Sequence, residues 1–166
     1  MSRLEGFPPI ATADAHTLIL GSMPGAASLA AREYYAHPRN AFWPIVGAVL
    51  GIDAALSYSE RTGRLAECGY ALWDVLGACR RPGSLDSNID AASIEVNDFA
   101  GFFATHPRIE RVFFNGTTAE TCFRRHVARD PGARFGVACR RLPSTSPANA
   151  SINHATKLAA WREIAR

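Results

Sequence analysis

The stretch Thr17-Leu18-Ile19-Leu20-Gly21-Ser22-Met23-Pro24-Gly25 decides the fold. Its first four residues form a short and mostly apolar run, which is typical of a strand buried inside a sheet. Glycine ends the strand, and glycine and proline together shape a tight turn whose backbone another molecule can approach. Ligands of open α/β sheets bind where strands end in this way, so the stretch predicts an α/β sheet with a site at its edge.

Strand-like and helix-like segments alternate through the rest of the chain. This alternation predicts an α/β protein whose mostly parallel sheet is covered by helices on both faces. Helices are expected over 42–50, about 59–68, from 97 through Phe103, from 117 through His126 and near 153–165. Strands are expected over 70–76 and 111–115, and one or two more within 135–142. A loop is expected over 77–90. Asn97 is expected to cap its helix, and Thr117 with Glu120 to form a capping box.

Length and composition predict one domain over residues 1–166. Of these residues 48% are hydrophobic and 20% charged, and the chain contains no linker, repeat or low-complexity segment. The formal charge of +3 suits a protein that binds a phosphate backbone, but it suits many other proteins as well. No segment has the pattern of a signal peptide or a membrane span, so we expect a cytoplasmic protein without a membrane partner.

Cysteines and histidines show no metal-binding pattern. The four cysteines form no CxxC pair and the five histidines no HxxxH spacing, so no metal is expected. Asp86-x-Asn88-x-Asp90 resembles the start of a calcium loop, but Ala91 and Asn97 stand where that loop needs glycine and glutamate. The phosphate-binding loop, the GxGxxG loop and the GxSxG motif of serine hydrolases are also absent.

Polar residues follow the expected strands and predict where a site would lie. Ser22, Asp74, Asn115 and Ser144 each stand at or just after the end of an apolar run. Because parallel strands end at the same edge of a sheet, we expect these side chains to converge there.

The segment Tyr34-Tyr35-Ala36-His37-Pro38-Arg39-Asn40 is a second candidate for function. An aromatic face can stack on a base taken out of a duplex, and an asparagine amide can orient a water or bond a base edge without titrating. The alternative is that the tyrosines pack in the core, His37 is a surface group and Asn40 caps the following helix.

The segment Leu142-Pro143-Ser144-Thr145-Ser146-Pro147-Ala148-Asn149 is a third candidate. Hydroxyls and backbone N–H groups are frequent partners of phosphate oxygens, and proline keeps such donors aimed. A plain polar turn is the alternative.

Together, the strings GSMPG, AHPRNAFW and STSPAN, in this order, resemble the uracil-DNA glycosylase superfamily. The likeness is strongest to its hypoxanthine-DNA glycosylase branch, with the mismatch-specific uracil glycosylases as near relatives, and it covers roughly Thr17 to Trp161. The resemblance implies one α/β/α sandwich with a short, mostly parallel sheet. It also implies an enzyme of base excision repair that flips a damaged base from double-stranded DNA, hydrolyses the N-glycosidic bond without a cofactor, and leaves an abasic site.

The resemblance also implies roles for single residues. Asn40 matches the asparagine that is important in the hypoxanthine branch, so it is the candidate catalytic residue. Ser22 is at the position where the mismatch-specific relatives have an asparagine that positions the attacking water. The most active uracil enzymes have an aspartate in this motif. The base would be bound by Tyr35, which stacks on it, by Met23 through the backbone, by Trp73 or Asp74 at a strand end, and by Asn115. The DNA would be gripped by Ser144, Thr145, Ser146, Pro147 and Asn149.

The expected chemistry lacks a pair of carboxylates. Sugar hydrolases often use two, and none is evident from the sequence, so catalysis is expected to depend on positioning and electrostatics. Arginines at 39, 80, 81, 140 and 141 are candidate phosphate contacts, although an arginine at any one position is more often an ordinary solvated side chain.

Three alternatives stay open at this point. The enzyme acts on hypoxanthine, or on uracil in mismatches, or the chain is a non-catalytic module that binds damaged DNA. The third alternative stays open because position 22 has a serine in place of the asparagine that positions water in the mismatch-specific relatives. A monomer is assumed.

Overall fold

A parallel sheet of four strands is the centre of the molecule, seen in a computed structural model that describes residues 2–129 and 134–166. The described residues form strands in two sheets, of which this is the larger. In chain order the strands are β1 (Arg3–Glu5), β2 (Thr17–Gly21), β3 (Tyr70–Asp74), β4 (Leu76–Arg80), β5 (Glu95–Val96), β6 (Arg111–Asn115) and β7 (Ala138–Leu142). The central sheet has the order β3-β2-β6-β7, with all pairs parallel. Every residue of β2 is buried, which explains its continuous apolar run.

Helices cover both faces of this sheet, as predicted. They are α1 (Ala26–Ala31), α2 (Phe42–Leu50), α3 (Tyr58–Glu67), α4 (Phe99–Thr105), α5 (Thr117–His126) and α6 (His154–Trp161). On one face, α4 and α5 pack their phenylalanines against Leu18 and Leu20 of β2. On the other face, α2, α3 and α6 pack against Ile19. Successive residues of a strand point to opposite faces, so one five-residue strand serves two cores and the α/β fold class is confirmed.

The second sheet was not predicted. Strands β1, β4 and β5 form a small antiparallel sheet in the order β1-β4-β5. The expected single strand over 70–76 is therefore two strands of different sheets, and the expected loop over 77–90 begins with a strand. The physical reason is that β4 is held by β1, whose residues lie more than seventy positions away, and local composition cannot reveal such a partner.

Two predicted helix caps are wrong. Asp98, rather than Asn97, caps α4, accepting a hydrogen bond from the Gly101 backbone N–H at 3.0 Å. Asn97 instead donates to the Asp74 carbonyl at 2.7 Å and so fixes the end of β3. The capping box at Thr117 is absent, because Gly116 holds the cap position of α5 with a φ of 93°.

The remaining helix and strand predictions agree with the structure to within a few residues. Gly51, with a φ of 74°, ends α2 as expected. The last predicted helix changes to a 3-10 turn after Trp161, and the strand expected within 135–142 is β7 alone among the described residues. None of the helices in the described ranges has both the length and the apolar character needed to cross a membrane.

Candidate active site

A cavity of about 740 Å³ opens at the carboxyl edge of the parallel sheet. The ends of β2, β3, β6 and β7 and the loops that follow them form its floor and walls. The cavity is lined by residues 21–28, Tyr34, Tyr35, His37, Asn40, Asp74, residues 84–87, 115–118 and 141–149, and Ile152. The three polar loops singled out in the sequence therefore meet in one place, which has the size of a small-molecule or nucleotide site.

Trp73 is the sequence-predicted site residue that does not reach this cavity. Its side chain lies in the core beside Phe99 and Phe102, with ring centroids 5.1 and 5.0 Å away, and its Nε1 donates to the Phe7 carbonyl. Neighbouring strand residues face opposite ways, so Asp74 faces the cavity where Trp73 cannot. The assignment of base reading to Trp73 is corrected accordingly.

Asn115 holds the third polar loop in position. Its Oδ1 accepts from the Thr145 backbone N–H and its Nδ2 donates to Thr145 Oγ1, both at 2.9 Å. Thr145 is almost fully buried, and its carbonyl accepts from the Ala41 N–H at 3.0 Å. Asn115 therefore connects the loop after β7 to the loop that carries Asn40.

Asn40 lies just before Ala41, the cap residue of α2, and it also lines the cavity, so the two roles that the sequence left open are compatible. Its Oδ1 accepts from the Phe42 backbone N–H at 2.9 Å, at the start of α2. Its Nδ2 makes no hydrogen bond within the described part of the chain, and the residue lines the cavity. The oxygen thus fixes the orientation of the amide, and the nitrogen is a donor available to a ligand.

Tyr35 has a strained backbone. Its φ is +56°, a conformation that bulky residues rarely adopt and that costs about 1–3 kcal/mol. Its ring stacks on Phe42 at 4.0 Å with an interplanar angle of 18°, so only the opposite face can take a base. Burial raises the pKa of the hydroxyl. That Oη has no hydrogen bond of good geometry, although Asn115 lies near enough to oppose the effect of burial.

Gly21 allows Tyr35 and Asp74 to crowd together at the floor of the cavity. A Cβ at this position would lie 2.4 Å from Asp74 Oδ1 and 2.8 Å from Tyr35 Oη. Only glycine fits between these groups without a shift of one of them.

Two carboxyl groups share the cavity, contrary to the expectation from the sequence. Asp74 is 4% exposed and its Oδ2 has no hydrogen-bond partner. Burial and the charge of Asp86 raise its pKa to about 7, while Arg81 opposes the shift. Asp86 lies in a 3-10 turn at the rim, and its Oδ1 accepts from Ser22 Oγ at 2.8 Å. The sequence carries one signal for Asp86, its place in a polar, turn-rich segment, and that segment predicts no catalytic role for it.

Opposing influences act on the pKa of Asp86. The residue is exposed as a whole, yet burial around its carboxyl raises the pKa, and hydrogen bonds from Ser22 and Thr118 and the charge of Arg81 oppose this effect. The hydroxyl of Ser22 is thus engaged with a carboxylate from a different loop.

Arg81 is buried rather than available for phosphate. It is 3% exposed, its Nη2 donates to the Pro24 carbonyl at 2.8 Å and its Nε to the Gly83 carbonyl at 2.9 Å. The side chain therefore joins the loop after β2 to the loop after β4. Two other candidates are ion-paired, Arg140 with Glu163 at 3.0 Å and Arg141 with Glu120 at 3.6 Å.

Within residues 2–129 and 134–166, no group of three or more His, Cys, Asp or Glu side chains is arranged to hold a metal ion.

Comparisons with known proteins agree with this architecture. No family model matches the chain. A solution NMR structure of a candidate uracil DNA glycosylase from Methanosarcina acetivorans superposes with a TM-score of 0.82 at 30% identity, covering 99% of this chain and 100% of that one. A hypoxanthine DNA glycosylase of M. acetivorans is 35% identical over 147 residues, 87% of each chain. A hypoxanthine DNA glycosylase of M. barkeri is 37% identical over 113 residues, 68% of this chain and 70% of that one.

The fold is that of the uracil-DNA glycosylase superfamily. Within that superfamily, the extent and identity of the two sequence matches show that the chain belongs to the hypoxanthine DNA glycosylase family. The resemblance drawn from the three loop motifs is thereby confirmed.

Proposed function

We propose that the chain is a monofunctional DNA glycosylase that removes a deaminated base, preferably hypoxanthine, from double-stranded DNA. The names of its relatives support glycosylase activity on DNA. The observation that carries the proposal is the meeting of Asn40, Tyr35 and the loop 144–149 in one cavity of about 740 Å³. One chain supplies all of these loops, which supports action as a monomer.

The reaction is a hydrolysis at C1′ of the deoxyribose. The base leaves with the electron pair of the glycosidic bond, positive charge develops on the sugar, and water adds to C1′. The Nδ2 of Asn40 holds the attacking water, while its Oδ1 stays bonded to the Phe42 N–H. An amide is a weak base, so this contribution is one of orientation.

Binding of the flipped nucleotide uses the rest of the cavity. The face of Tyr35 that Phe42 does not cover stacks on the base, and backbone N–H groups at Ser22 and Met23 meet the charge that develops on it. Ser144, Ser146, Pro147 and Asn149 line the part of the loop that holds the flanking phosphates. Thr145 is buried and bonded to Asn115, so it fixes the loop in place, and the DNA contact expected of it from the sequence is corrected. Extruding a base costs a few kcal/mol, least for one that pairs poorly.

The test is single-turnover excision from duplexes that carry one hypoxanthine, xanthine or uracil, with alkali to break the abasic sites. We expect strand breaks with hypoxanthine and a loss of about 10²- to 10³-fold in Asn40→Ala. Asn40→Asp is the matched variant, since it keeps the acceptor for the Phe42 N–H and removes the donor; it should lose nearly as much activity while folding normally.

Other outcomes choose among the alternatives. Breaks with uracil alone would keep the superfamily and favour the activity suggested by the structural neighbour's name. Folded protein that binds the duplexes and cleaves none of them would make the chain a non-catalytic module. Full activity in both Asn40 variants would remove this residue from the mechanism.

A further inference from the structure

The two carboxyl groups of the cavity differ in their surroundings. Asp74 lies at the floor, buried, with Oδ2 unpartnered and with Tyr35 Oη beside it over Gly21. Asp86 lies at the rim, exposed, and is held by the Ser22 hydroxyl at 2.8 Å. In a site that cleaves a glycosidic bond, a neutral acid and an ionised carboxylate with such different surroundings divide the work of catalysis.

A purine needs help to leave from a sugar. Rupture of the C1′–N9 bond puts the electron pair on the base, and protonation of ring nitrogen N7 lowers the energy of that departure. The developing charge on the sugar is positive and favours a nearby anion. An acid beside the base and a carboxylate beside the sugar therefore match the two halves of the transition state.

Building on the proposed function, we propose that Asp74 is the general acid that protonates the departing hypoxanthine, and that Asp86 is the carboxylate that faces the sugar. The proton on the Asp74 carboxyl passes to N7 as the C1′–N9 bond breaks with its electron pair going to the base. Water held by Asn40 bonds to C1′ and gives its proton to Asp86. Solvent then restores the proton of Asp74 and removes that of Asp86.

The environment of Asp74 keeps its proton in place near neutral pH. Burial and the Asp86 charge raise its pKa to about 7, and Arg81 limits the rise. The titratable or charged groups that face it or share its cavity wall include Asp86, Arg81, Tyr34, Tyr35, Tyr58, His37 and Arg141. Burial raises the pKa of Asp86 as well, but hydrogen bonds from Ser22 and Thr118 and the charge of Arg81 oppose that rise and favour its ionised form.

Asp74 and Tyr35 have to move slightly before their side chains can contact a bound base. Asp74 lines the cavity, but its Oδ2 and the Oη of Tyr35 are covered by neighbouring atoms. Hydrogen bonds of acids and bases in active sites commonly close only when the substrate is bound. Among the described residues Asp74 Oδ2 has no hydrogen-bond partner and Tyr35 Oη has none of good geometry, so a base that reaches the floor after this movement can bond to both.

The first measurement is the pH dependence of single-turnover excision of hypoxanthine. Between pH 6 and 9 the wild-type rate should fall, by about tenfold per pH unit well above pH 7, because the reaction needs the protonated acid. At lower pH the rate should fall again as Asp86, which must be ionised, takes up a proton. Asp74→Asn should be slower by about a hundredfold or more at pH 6, and its profile should be flat between pH 6 and 9. Asp14→Asn is the matched control, since that exposed carboxylate pairs with Arg108 and does not line the cavity.

The second measurement uses 7-deazahypoxanthine, which keeps the base-pairing edge and has a carbon where the proton would be received. Wild-type enzyme should bind both duplexes equally and excise hypoxanthine at least about a hundredfold faster. In Asp74→Asn the two bases should be excised at nearly the same rate, because the interaction between acid and N7 is already lost. A residue that merely shapes the pocket would slow both substrates alike.

The outcomes separate this inference from the proposed function. A level wild-type profile between pH 6 and 9, equal wild-type rates on the two bases, or the same rate deficit for both in Asp74→Asn would each overturn the acid role while hypoxanthine excision stands. Absence of hypoxanthine excision by the wild type would overturn the proposed function, and the acid role with it.

Discussion

Gly21 shows how much one residue decides at the floor of the cavity. Its φ is ordinary, so the reason for glycine is space, with Asp74 Oδ1 and Tyr35 Oη within 3 Å of the position of a Cβ. A methyl group there must displace one of two buried side chains. The sequence marked Gly21 as the end of a strand, but it could not show which side chains fold over it.

Gly21→Ala should therefore impair both folding stability and excision. We expect unfolding free energy to fall by about 1–3 kcal/mol, the usual cost of overpacking, and excision to fall further than the folded fraction explains. Denaturant unfolding and single-turnover rates check this result. Gly63→Ala is the control, because a Cβ at Gly63 meets nothing within 4 Å. An active Gly21→Ala protein would show that the floor has spare room.

Asp74 should make stability depend on pH in a direction unusual for an aspartate. Its pKa is about 7 in the folded state against 3.8 for the unperturbed group, so the folded protein keeps a proton that the unfolded chain has released. Wild-type stability should fall as pH rises from about 4 to 7. The unfolding free energy of Asp74→Asn should then exceed that of the wild type by about 2–4 kcal/mol above pH 7, and the two should be equal below pH 4.

Unfolding by denaturant at pH 4 and pH 8 measures this difference. An equal stability gap at both pH values would mean that Asp74 titrates normally. That result would also contradict the desolvated environment in which the acid role is placed.

The elements that the sequence predicted well are those held together by local pattern. Strands β2 and β6 are short buried runs, and α2 ends at a glycine. Strands β1, β4 and β5 escaped prediction because each depends on a distant partner. For the same reason the sequence missed Asp86, which joins the cavity through contacts with Ser22 and Thr118, both distant in the chain.

Asn115 supplies two of the hydrogen bonds that position the loop after β7. In Asn115→Ala the buried N–H of Thr145 loses its acceptor, which costs about 1–3 kcal/mol. We expect affinity for DNA to fall by about tenfold in fluorescence anisotropy. Asn115→Asp should retain more affinity, because it keeps that acceptor and loses only the donor to Thr145 Oγ1. Equal affinity in all three proteins would show that the loop keeps its shape without these bonds.

For the whole molecule, the distribution of charges predicts an affinity for DNA that depends only modestly on salt concentration. The net charge is +3, Arg81 is buried, and Arg140 and Arg141 form ion pairs. Arg39 and Arg80 are exposed, without an ion pair among the described residues. Neutral donors of the loop 144–149 should carry much of the contact with phosphate.

Titration of DNA binding at several salt concentrations checks this expectation. The slope of log K against log salt should be about −2 to −3, which corresponds to two or three neutralised phosphates. A slope near −6 would mean that the paired arginines leave their carboxylates to bind DNA.

The hydrogen bond between Ser22 and Asp86 has a consequence for how such chains are compared with one another. It couples two positions that lie 64 residues apart in the chain. A survey that scores the first motif alone would find serine at position 22 and no carboxylate, although the Asp86 carboxylate lies one hydrogen bond away on another loop. A substitution at either position in a related sequence is interpretable only when the other position is considered with it.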